Sequence, residues 1–286
     1  MIKLKELLEL RGMVYSEEIK PKHQEKIHMK TSLWDEGIVL PRMFPPENDS
    51  AQTLKEVKHL ASIKPNEEMA HAGDDVQGNF LPLIEKYNLP ISEELIDRII
   101  KESAKFIMDL KYKFNRPRPY QVAEFYGIDL NGTQLDSMKT PSFPSGHAVQ
   151  GYLIGEYLAK FDNVNAYEYR MKGEEIAQSR IIAKAHYPSD KAYGKVIAKA
   201  LLNNLKSKVK FGNYGKDKGG YNWDTDTINL NKYYPKVSEF IITVLHEIHH
   251  AIQIKKYGRK KFMKKYQQAS NMADLDGKDR YWANKW

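Results

Sequence analysis

Three separated segments of the sequence carry side chains suited to binding a phosphate group. The first contains Lys111 and Arg118, two cations seven positions apart, and the second reads Pro-Ser-Gly-His at residues 144–147. If this second segment opens a helix, its hydroxyl and backbone N–H groups converge where the helix dipole favours an anion. The glycine would let the backbone approach that anion closely. Together the two segments predict an anion site.

The third segment places a histidine beside a carboxylate. Ser179 and Arg180 are followed after five residues by His186 and, after three more, by Asp190. A carboxylate next to an imidazole can fix its tautomer and stabilise the imidazolium. The spacing therefore indicates a histidine that acts as a nucleophile or as a base.

In their order and spacing these segments resemble the three-part signature of the PAP2 (phosphatidic acid phosphatase type 2)/vanadium haloperoxidase superfamily. That signature reads Lys-x6-Arg-Pro, Pro-Ser-Gly-His and Ser-Arg-x5-His-x3-Asp, and every position is matched within residues 90–200. The resemblance implies a helical bundle with its site between the helices. It also implies a phosphatase, similar to the soluble class A acid phosphatases, that hydrolyses phosphomonoesters or lipid phosphates without a metal.

The resemblance assigns a role to each residue of the signature. His186 would attack phosphorus to form a phosphohistidine, Asp190 would hydrogen-bond its other ring nitrogen, and His147 would protonate the leaving group. The phosphoryl oxygens would be bound by Lys111, Arg118, Ser145, Gly146 and Arg180. This chemistry needs no cofactor. Vanadate is expected to inhibit it, because vanadate mimics phosphate and fits the same binding groups. The alternative that the resemblance leaves open is a haloperoxidase in which vanadate is the cofactor.

A second pattern lies near the C-terminus, where residues 246–250 read His-Glu-Ile-His-His. On a helix, His246 and His250 would share one face and could hold zinc, with Glu247 as general base. The segment resembles a minimal zincin metallopeptidase, although the pattern is short. The acidic candidates for a third ligand are Asp274, Asp276 and Asp279. A metal-free helix and a basic binding module are the alternatives for this segment.

The composition favours a globular protein in a reducing compartment. Hydrophobic residues make up 41% of the 286, enough for a sizeable core, and the absence of cysteine excludes disulfides and thiolate chemistry. No apolar run approaches the roughly 20 residues of a transmembrane helix, and the N-terminus lacks the pattern of a secretory signal. We therefore expect a soluble, cytoplasmic protein that acts on a small phosphorylated substrate.

The net charge of +8 is unevenly distributed along the chain. Residues 206–286 hold 17 Lys and Arg against 8 Asp and Glu, whereas residues 1–205 hold 28 against 29. A basic C-terminal part could bind nucleic acid or an anionic surface, although Lys-rich helices are more often simply solvated. The charge therefore leaves both interpretations open.

The sequence divides into two predicted domains. Residues 1–205 are interpreted as a PAP2-like helical domain with an irregular N-terminal arm over 1–50, and residues 206–286 as a small, basic, zincin-like α+β domain. Apolar spacing predicts helices at 51–63, 76–87, 93–110, 146–161, 165–184, 190–207, 236–257 and 260–270. Residues 221–230 alternate as in a β-strand. The predicted fold class is mainly α, a helical bundle followed by a small α+β domain.

Two further features are interpreted from spacing alone. Arg116 also precedes a proline, but it lies only five positions after Lys111, so we place it at the surface or at the rim of the substrate site. Asp74 and Asp75 precede a predicted helix and are expected to cap it.

Overall fold

The computed structural model describes residues 4–35, 37–89, 91–205, 209–212, 219–222 and 227–257, together with Lys264. The chain forms two compact units, Met1–Lys206 and Ser207–Trp286. The described residues are mainly helical, with one three-stranded sheet in the second unit, which confirms the predicted fold class. None of the helices in these ranges is long and apolar enough to cross a membrane.

The first unit is a set of α-helices joined by loops. In chain order they are α1 (Leu4–Gly12), α2 (Pro21–His28), α3 (Ala51–Ser62), α4 (Glu67–His71), α5 (Val76–Lys86), α6 (Glu93–Phe114), α7 (Pro119–Phe125), α8 (Gly146–Phe161), α9 (Ala166–Ile182) and α10 (Pro188–Asn204). A 3₁₀ helix covers Asp136–Met138. The helices predicted in this unit from apolar spacing are present, with ends shifted by four residues at most.

Helix α6 forms one wall of the core. Its N-cap residue is Ser92, whose Oγ accepts a hydrogen bond from the Leu95 N–H at 3.3 Å. Its buried apolar residues are Ile96, Ile99, Phe106, Ile107 and Leu110. The predicted end before Lys111 is wrong, because lysine is a good helix former and the helix runs on to Phe114. Lys111 therefore lies inside the last turn of the helix.

Helices α8 and α9 pack with their backbones in close approach. A Cβ added to Gly155 would lie 2.6 Å from the Tyr169 carbonyl oxygen, and one added to Gly173 would lie 2.6 Å from the Gly151 oxygen. Side-chain carbons do not come this close to a backbone oxygen, so only glycine permits the contact. Gly151 lies against Gly173 and Gly155 against Tyr169, so the two helices run antiparallel. The start of α8 is therefore close to the end of α9.

The N-terminal arm contains α1 and α2, which the sequence did not predict because helices this short show little periodicity. After α2, the Glu102 carboxylate accepts hydrogen bonds from the N–H groups of Ser32 and Leu33, both at 2.7 Å. Trp34 is fully buried, and its indole N–H donates to the Leu201 carbonyl at 2.8 Å. This part of the arm is therefore built into the core.

The described part of the second unit contains a small sheet and one long helix. Its elements are β1 (Val209–Gly212), β2 (Gly219–Asn222), β3 (Thr227–Asn231) and α11 (Val237–Tyr257). Strand β3 is central, pairing in parallel with β1 and antiparallel with β2, and Gly219 of β2 lies opposite Leu230. A Cβ on Gly219 would lie 2.7 Å from Cγ2 of Thr243, so this glycine lets α11 pack closely on the sheet.

Two predictions in this unit have different outcomes. The single strand predicted over 221–230 is wrong, because its described residues belong to two strands, β2 and β3. The helix predicted over 236–257 is confirmed as α11. The helix predicted over 260–270 lies outside the described residues, apart from Lys264.

The contact between α8 and α9 provides a test of this packing. Replacing Gly173 by Ala should lower the free energy of unfolding by about 1 to 3 kcal/mol, because the methyl group would overlap the Gly151 carbonyl. Denaturant unfolding measures the change. Gly12→Ala is the control, since nothing lies within 4 Å of a Cβ at that position. A Gly173→Ala midpoint equal to that of the wild type would contradict the close packing.

Candidate active site

The signature residues meet at the ends of helices in the first unit. Lys111 lies in the last turn of α6, Arg118 is the N-cap of α7, Ser145 is the N-cap of α8, Arg180 lies in the last turn of α9 and Asp190 in the first turn of α10. These side chains and His186, just before α10, are no more than 3% exposed. Buried charges are costly unless they are paired or hydrogen-bonded, so the partners of each residue define what the site can do.

Hydrogen bonds fix the tautomer of His186. Its Nδ1 lies 3.1 Å from Oδ2 of Asp190, so this nitrogen carries the proton and donates it to the carboxylate. Its Nε2 lies 3.0 Å from Nη1 of Arg118, which can only donate, so Nε2 is the acceptor. Burial and the charges of Arg118 and Lys111 hold the pKa of His186 well below its usual value. The ring is therefore neutral, with a lone pair on Nε2.

The Asp190 carboxylate is held on both oxygens. Oδ2 accepts hydrogen bonds from the His186 ring, from the Tyr187 N–H at 3.0 Å and from the Ser142 hydroxyl. Oδ1 lies 2.6 Å from Nη1 of Arg116. Burial alone would raise the pKa of Asp190, but the Arg116 charge and the hydrogen bonds outweigh it and hold this pKa below its usual range. Asp190 is therefore ionised.

The expectation that Arg116 lies at the surface or at the rim of the site is wrong. Arg116 is only 2% exposed, and its guanidinium carbon lies 3.7 Å from the centroid of the Tyr187 ring. Besides Asp190 it contacts Glu56 of α3, with Nη2 3.3 Å from Oε2. Glu56 lies 60 residues before Arg116, so no local pattern could reveal the pair. The dipeptide Arg116-Pro117, next to the Arg-Pro of the signature, was the only sign in the sequence that Arg116 belongs to the site.

Lys111 and Arg118 are held by backbone carbonyl groups. Arg118 donates to the carbonyls of Ser137 (2.9 Å), Thr140 (2.7 Å) and Ala185 (2.7 Å). Lys111 donates to the carbonyls of Pro141 and Ser142. Burial lowers the pKa of Arg118 to about 10 and that of Lys111 well below its usual value. Since neither forms an ion pair with a carboxylate in the described part of the chain, both charges are available to an anion.

The N-terminus of α8 faces the same region. Ser145 caps the helix, because its Oγ accepts a hydrogen bond from the Ala148 N–H at 3.4 Å, and its own N–H donates to the Asp190 carbonyl at 3.2 Å. A Cβ on Gly146 would lie 3.9 Å from Cε of Lys111. The positive end of α8 is therefore next to the Lys111 side chain, an arrangement that stabilises an anion.

Arg180, unlike the other two signature cations, is paired with a carboxylate. Its Nη1 lies 2.5 Å from Oδ1 of Asp74 in the turn between α4 and α5. It also donates to Oγ of Ser179 at 3.0 Å and to the Ala70 carbonyl. Of the two acidic residues expected to cap α5, only Asp75 does so. Asp74 lies 106 residues before Arg180, and the sequence did not predict this contact.

His147 is half-buried in the first turn of α8. Burial and the positive charges of Arg180 and Lys111 lower its pKa to about 4, although Asp74 acts in the opposite direction. Lys111 thus affects the pKa of His147 as well as that of His186. The short distances from Gly146 to Lys111 and from Arg118 to His186 bring residues of all three segments together.

The second pattern lies on α11 in the second unit. Nε2 of His246 lies 2.9 Å from Nε2 of His250, and the two rings meet edge to face. Glu247, beside them, is 5% exposed. Among the described residues, no group of three or more His, Asp or Glu side chains is arranged to hold a metal ion. The third-ligand candidates Asp274, Asp276 and Asp279 lie outside the described residues, so zinc binding stays a prediction.

One family model matches part of the chain. Residues 99–209 match the model of the PAP2 superfamily. A non-specific acid phosphatase of Providencia stuartii is 29% identical over 137 residues, which cover 44% of this chain and 54% of that protein. The chain therefore spans about half the length of this curated relative.

One similar solved structure is the crystal structure of a bacterial vanadium-dependent iodoperoxidase. It shares 18% sequence identity with this chain and superposes with a TM-score of 0.42, over 59% of this chain and 52% of that one.

The family match agrees with the site described above. The matched range runs from residue 99 to residue 209, so it contains the whole signature from Lys111 to Asp190 and ends before α11. Over residues 99–209, the chain is similar to the PAP2 superfamily.

Proposed function

We propose that this chain is a phosphatase that hydrolyses phosphomonoesters through a phosphohistidine on His186. The observation that carries the proposal is the pair of hydrogen bonds on the His186 ring, with Asp190 at Nδ1 (3.1 Å) and Arg118 at Nε2 (3.0 Å). They leave an unprotonated nitrogen directed at a cation that can bind a phosphoryl oxygen. The similarity to a protein described as a non-specific acid phosphatase supports the same reaction class.

In the first half-reaction, Nε2 of His186 attacks phosphorus and the bond from phosphorus to the leaving oxygen breaks. His147 gives its proton to that oxygen, and the ionised Asp190 stabilises the positive charge that develops on the His186 ring. Before attack, Nη1 of Arg118 exchanges its bond to Nε2 for a bond to a phosphoryl oxygen. In the second half-reaction, His147 takes a proton from water, the oxygen attacks phosphorus, and the N–P bond breaks to release phosphate.

The buried cations supply the transition-state stabilisation. Lys111, Arg118 and Arg180 would face the equatorial phosphoryl oxygens, together with the N–H groups at the start of α8. A phosphate monoester carries between one and nearly two negative charges from acidic to neutral pH, which Lys111 and Arg118 can balance together with Arg180, itself paired with Asp74. Because the groups are already held by carbonyls and helix ends, little reorganisation is needed when charge develops.

The scheme uses only side chains and backbone N–H groups of this chain, so we propose that hydrolysis is independent of metal. Vanadate can take up the five-coordinate geometry of the transition state and is expected to inhibit. The haloperoxidase alternative would use the same cations to hold vanadate as a cofactor. Since the curated relative is described as a phosphatase, hydrolysis is the function we propose first.

Replacing His186 by Ala should lower kcat for an aryl phosphate by about 10³-fold or more, because the phosphoenzyme can no longer form. Vanadate should inhibit the wild-type protein and a metal chelator should not. His59→Ala, at an exposed position of α3, is the matched control and should retain full activity. A folded His186→Ala protein with the wild-type rate would rule out the proposed nucleophile.

The activity should be highest at acidic pH, with kcat/KM falling as the pH rises above the pKa of His147. His147 must be protonated to serve as the acid, and its pKa is about 4. His186 must be neutral, and its lowered pKa keeps it neutral in the same range. An aryl phosphate whose leaving group needs no proton should show a weaker fall. Profiles that rise towards neutral pH for both substrates would contradict the assignment of His147.

Thermal unfolding at each pH separates this effect from loss of structure. The pKa values of both histidines are lower in the folded chain than the unfolded value of about 6.5. The unfolded chain therefore binds more protons as the pH falls below about 6.5, and the folded state loses stability in that direction. Activity is compared only at pH values where the protein remains folded.

We also propose that α11 binds one divalent cation, with zinc as the default ion, through His246 and His250. The supporting observation is that their Nε2 atoms lie 2.9 Å apart, because two nitrogens at zinc–nitrogen distances of about 2.0–2.1 Å can then reach one ion. Glu247 stays the predicted general base. Binding of nucleic acid or an anionic surface by the basic C-terminal part stays a prediction as well.

Metal analysis of the dialysed full chain tests this second proposal. The wild-type protein should retain about one zinc per chain, and His246→Ala should lose it, because a single histidine cannot hold the ion against dialysis. His59→Ala should keep the wild-type zinc content. Phosphatase activity should be the same in all three. A wild-type chain without zinc after exposure to zinc and dialysis would disprove the metal site.

A further inference from the structure

A buried arginine joins two carboxylates behind the proposed nucleophile. Nη1 of Arg116 lies 2.6 Å from Oδ1 of Asp190, and Nη2 lies 3.3 Å from Oε2 of Glu56. The side chains of Arg116, Asp190 and Glu56 are 1%, 0% and 10% exposed. Three charged groups therefore form one row away from solvent, and the row ends at the carboxylate that holds His186.

Glu56 also fastens the start of α10 to α3. Its Oε1 accepts a hydrogen bond from the Ser189 N–H at 3.0 Å, and its Oε2 accepts one from the Ser189 hydroxyl at 2.8 Å. Nη1 of Arg116 donates to the same hydroxyl at 2.8 Å. Because Ser189 directly precedes Asp190, these bonds set the position of the Asp190 backbone as well as that of its side chain.

This arrangement is a poor way to gain stability. Burying an ion pair removes both charges from water, and apolar residues of the same volume often stabilise a protein equally well or better. Within the described residues, Nε of Arg116 and the Tyr187 hydroxyl are both buried without a hydrogen-bond partner. The network does keep Asp190 ionised and in one orientation, and this is a function that apolar residues could not perform.

We infer that Arg116 and Glu56 are positioning residues for the nucleophile, which fix Asp190 and set the proton affinity of His186. The inference rests on the proposed function, in which His186 attacks phosphorus. Arg116 lies behind Asp190, on the oxygen that does not face His186. Both residues therefore act on the reaction through Asp190.

The charges around His186 determine what removal of either residue does. Asp190 faces Nδ1, Arg118 faces Nε2, and Lys111 adds a further positive charge. The phenol of Tyr187, whose pKa burial raises, stays neutral at every pH of interest. The charges that the substitutions below change are those of Arg116 and Glu56.

Removing the charge of Arg116 and removing the charge of Glu56 should move the pKa of His186 in opposite directions. The row of Glu56, Arg116 and Asp190 carries a net charge of −1 in the wild type, −2 in Arg116→Gln, 0 in Glu56→Gln and −1 again in the double variant. More negative charge favours the protonated ring and less disfavours it. A residue that only maintained the fold would not produce this order.

The test is the pH profile of kcat/KM for an aryl phosphate in the four proteins. The acid limb should move to higher pH in Arg116→Gln, move to lower pH in Glu56→Gln, and return towards the wild type in the double variant. At the optimum, kcat of Arg116→Gln should fall about 10- to 100-fold, the range typical of groups that orient a functional histidine. KM and the inhibition constant of inorganic phosphate should change by less than about 2-fold, because neither residue touches the phosphoryl group.

An exposed ion pair of the same residue types provides the matched control. Nε of Arg170 lies 3.0 Å from Oε1 of Glu156, and the two side chains are 54% and 40% exposed. Arg170→Gln and Glu156→Gln should leave kcat and the pH profile unchanged. Any shift that they share with the buried variants would be an unspecific charge effect and would overturn the inference.

The outcomes separate this inference from the proposed function. If His186→Ala is inactive but Arg116→Gln and Glu56→Gln are folded with wild-type kcat and acid limb, the inference fails and the proposed function stands. If His186→Ala is active, the proposed function fails and the inference fails with it. If Arg116→Gln does not fold, the pH profile of Glu56→Gln alone tests the inference. This variant is expected to fold, because Gln can keep the hydrogen bonds to Ser189. An unchanged kcat and profile in that variant would then overturn the inference.

Discussion

The site is organised around one buried carboxylate. Asp190 is inaccessible to solvent and accepts hydrogen bonds from His186, Ser142 and the Tyr187 N–H, while Arg116 neutralises its charge. A carboxylate in such a place is costly unless both oxygens are satisfied, so the residues around it are tightly constrained. Its backbone carbonyl also accepts the N–H of the α8 N-cap, which ties the start of α8 to the start of α10. The tautomer of the histidine therefore depends on the same group that joins the helices.

The cations of the site follow a different rule. Lys111 and Arg118 are buried beside each other, and each is held by carbonyl dipoles instead of a full negative charge. Carbonyls satisfy the N–H groups but do not cancel the charge, so the region keeps a positive field. That field lowers the pKa of both histidines and favours any ligand that brings two negative charges. Such a field suits the proposed hydrolysis of a phosphate ester, and residues 99–209 match the PAP2 superfamily model.

The parts of this site that the sequence predicted are those encoded by local rules. The helices follow from apolar spacing, the caps at Ser92 and Asp75 from residue type, and the signature from fixed intervals along the chain. The parts that it did not predict are contacts between distant segments. Glu56 meets Arg116 across 60 residues and Asp74 meets Arg180 across 106, and nothing in either neighbourhood marks the partner. Arg116 was misplaced for this reason, since an exposed arginine and a buried one look alike until the carboxylates around it are known.

The two motifs of the chain differ in how much structure is needed to produce them. A helix of any function places His246 and His250 on one face, because residues four apart always lie one turn apart. Helical geometry is therefore sufficient to bring the two Nε2 atoms within 2.9 Å, and the proposed metal site needs a further ligand from outside this pair. Lys111, Ser145 and His186 come from three separate segments and can meet only if the helices that carry them are packed in one particular way. That they do meet, around an ionised Asp190, makes the proposed phosphate site a property of the fold, whereas the histidine pair is a property of one helix.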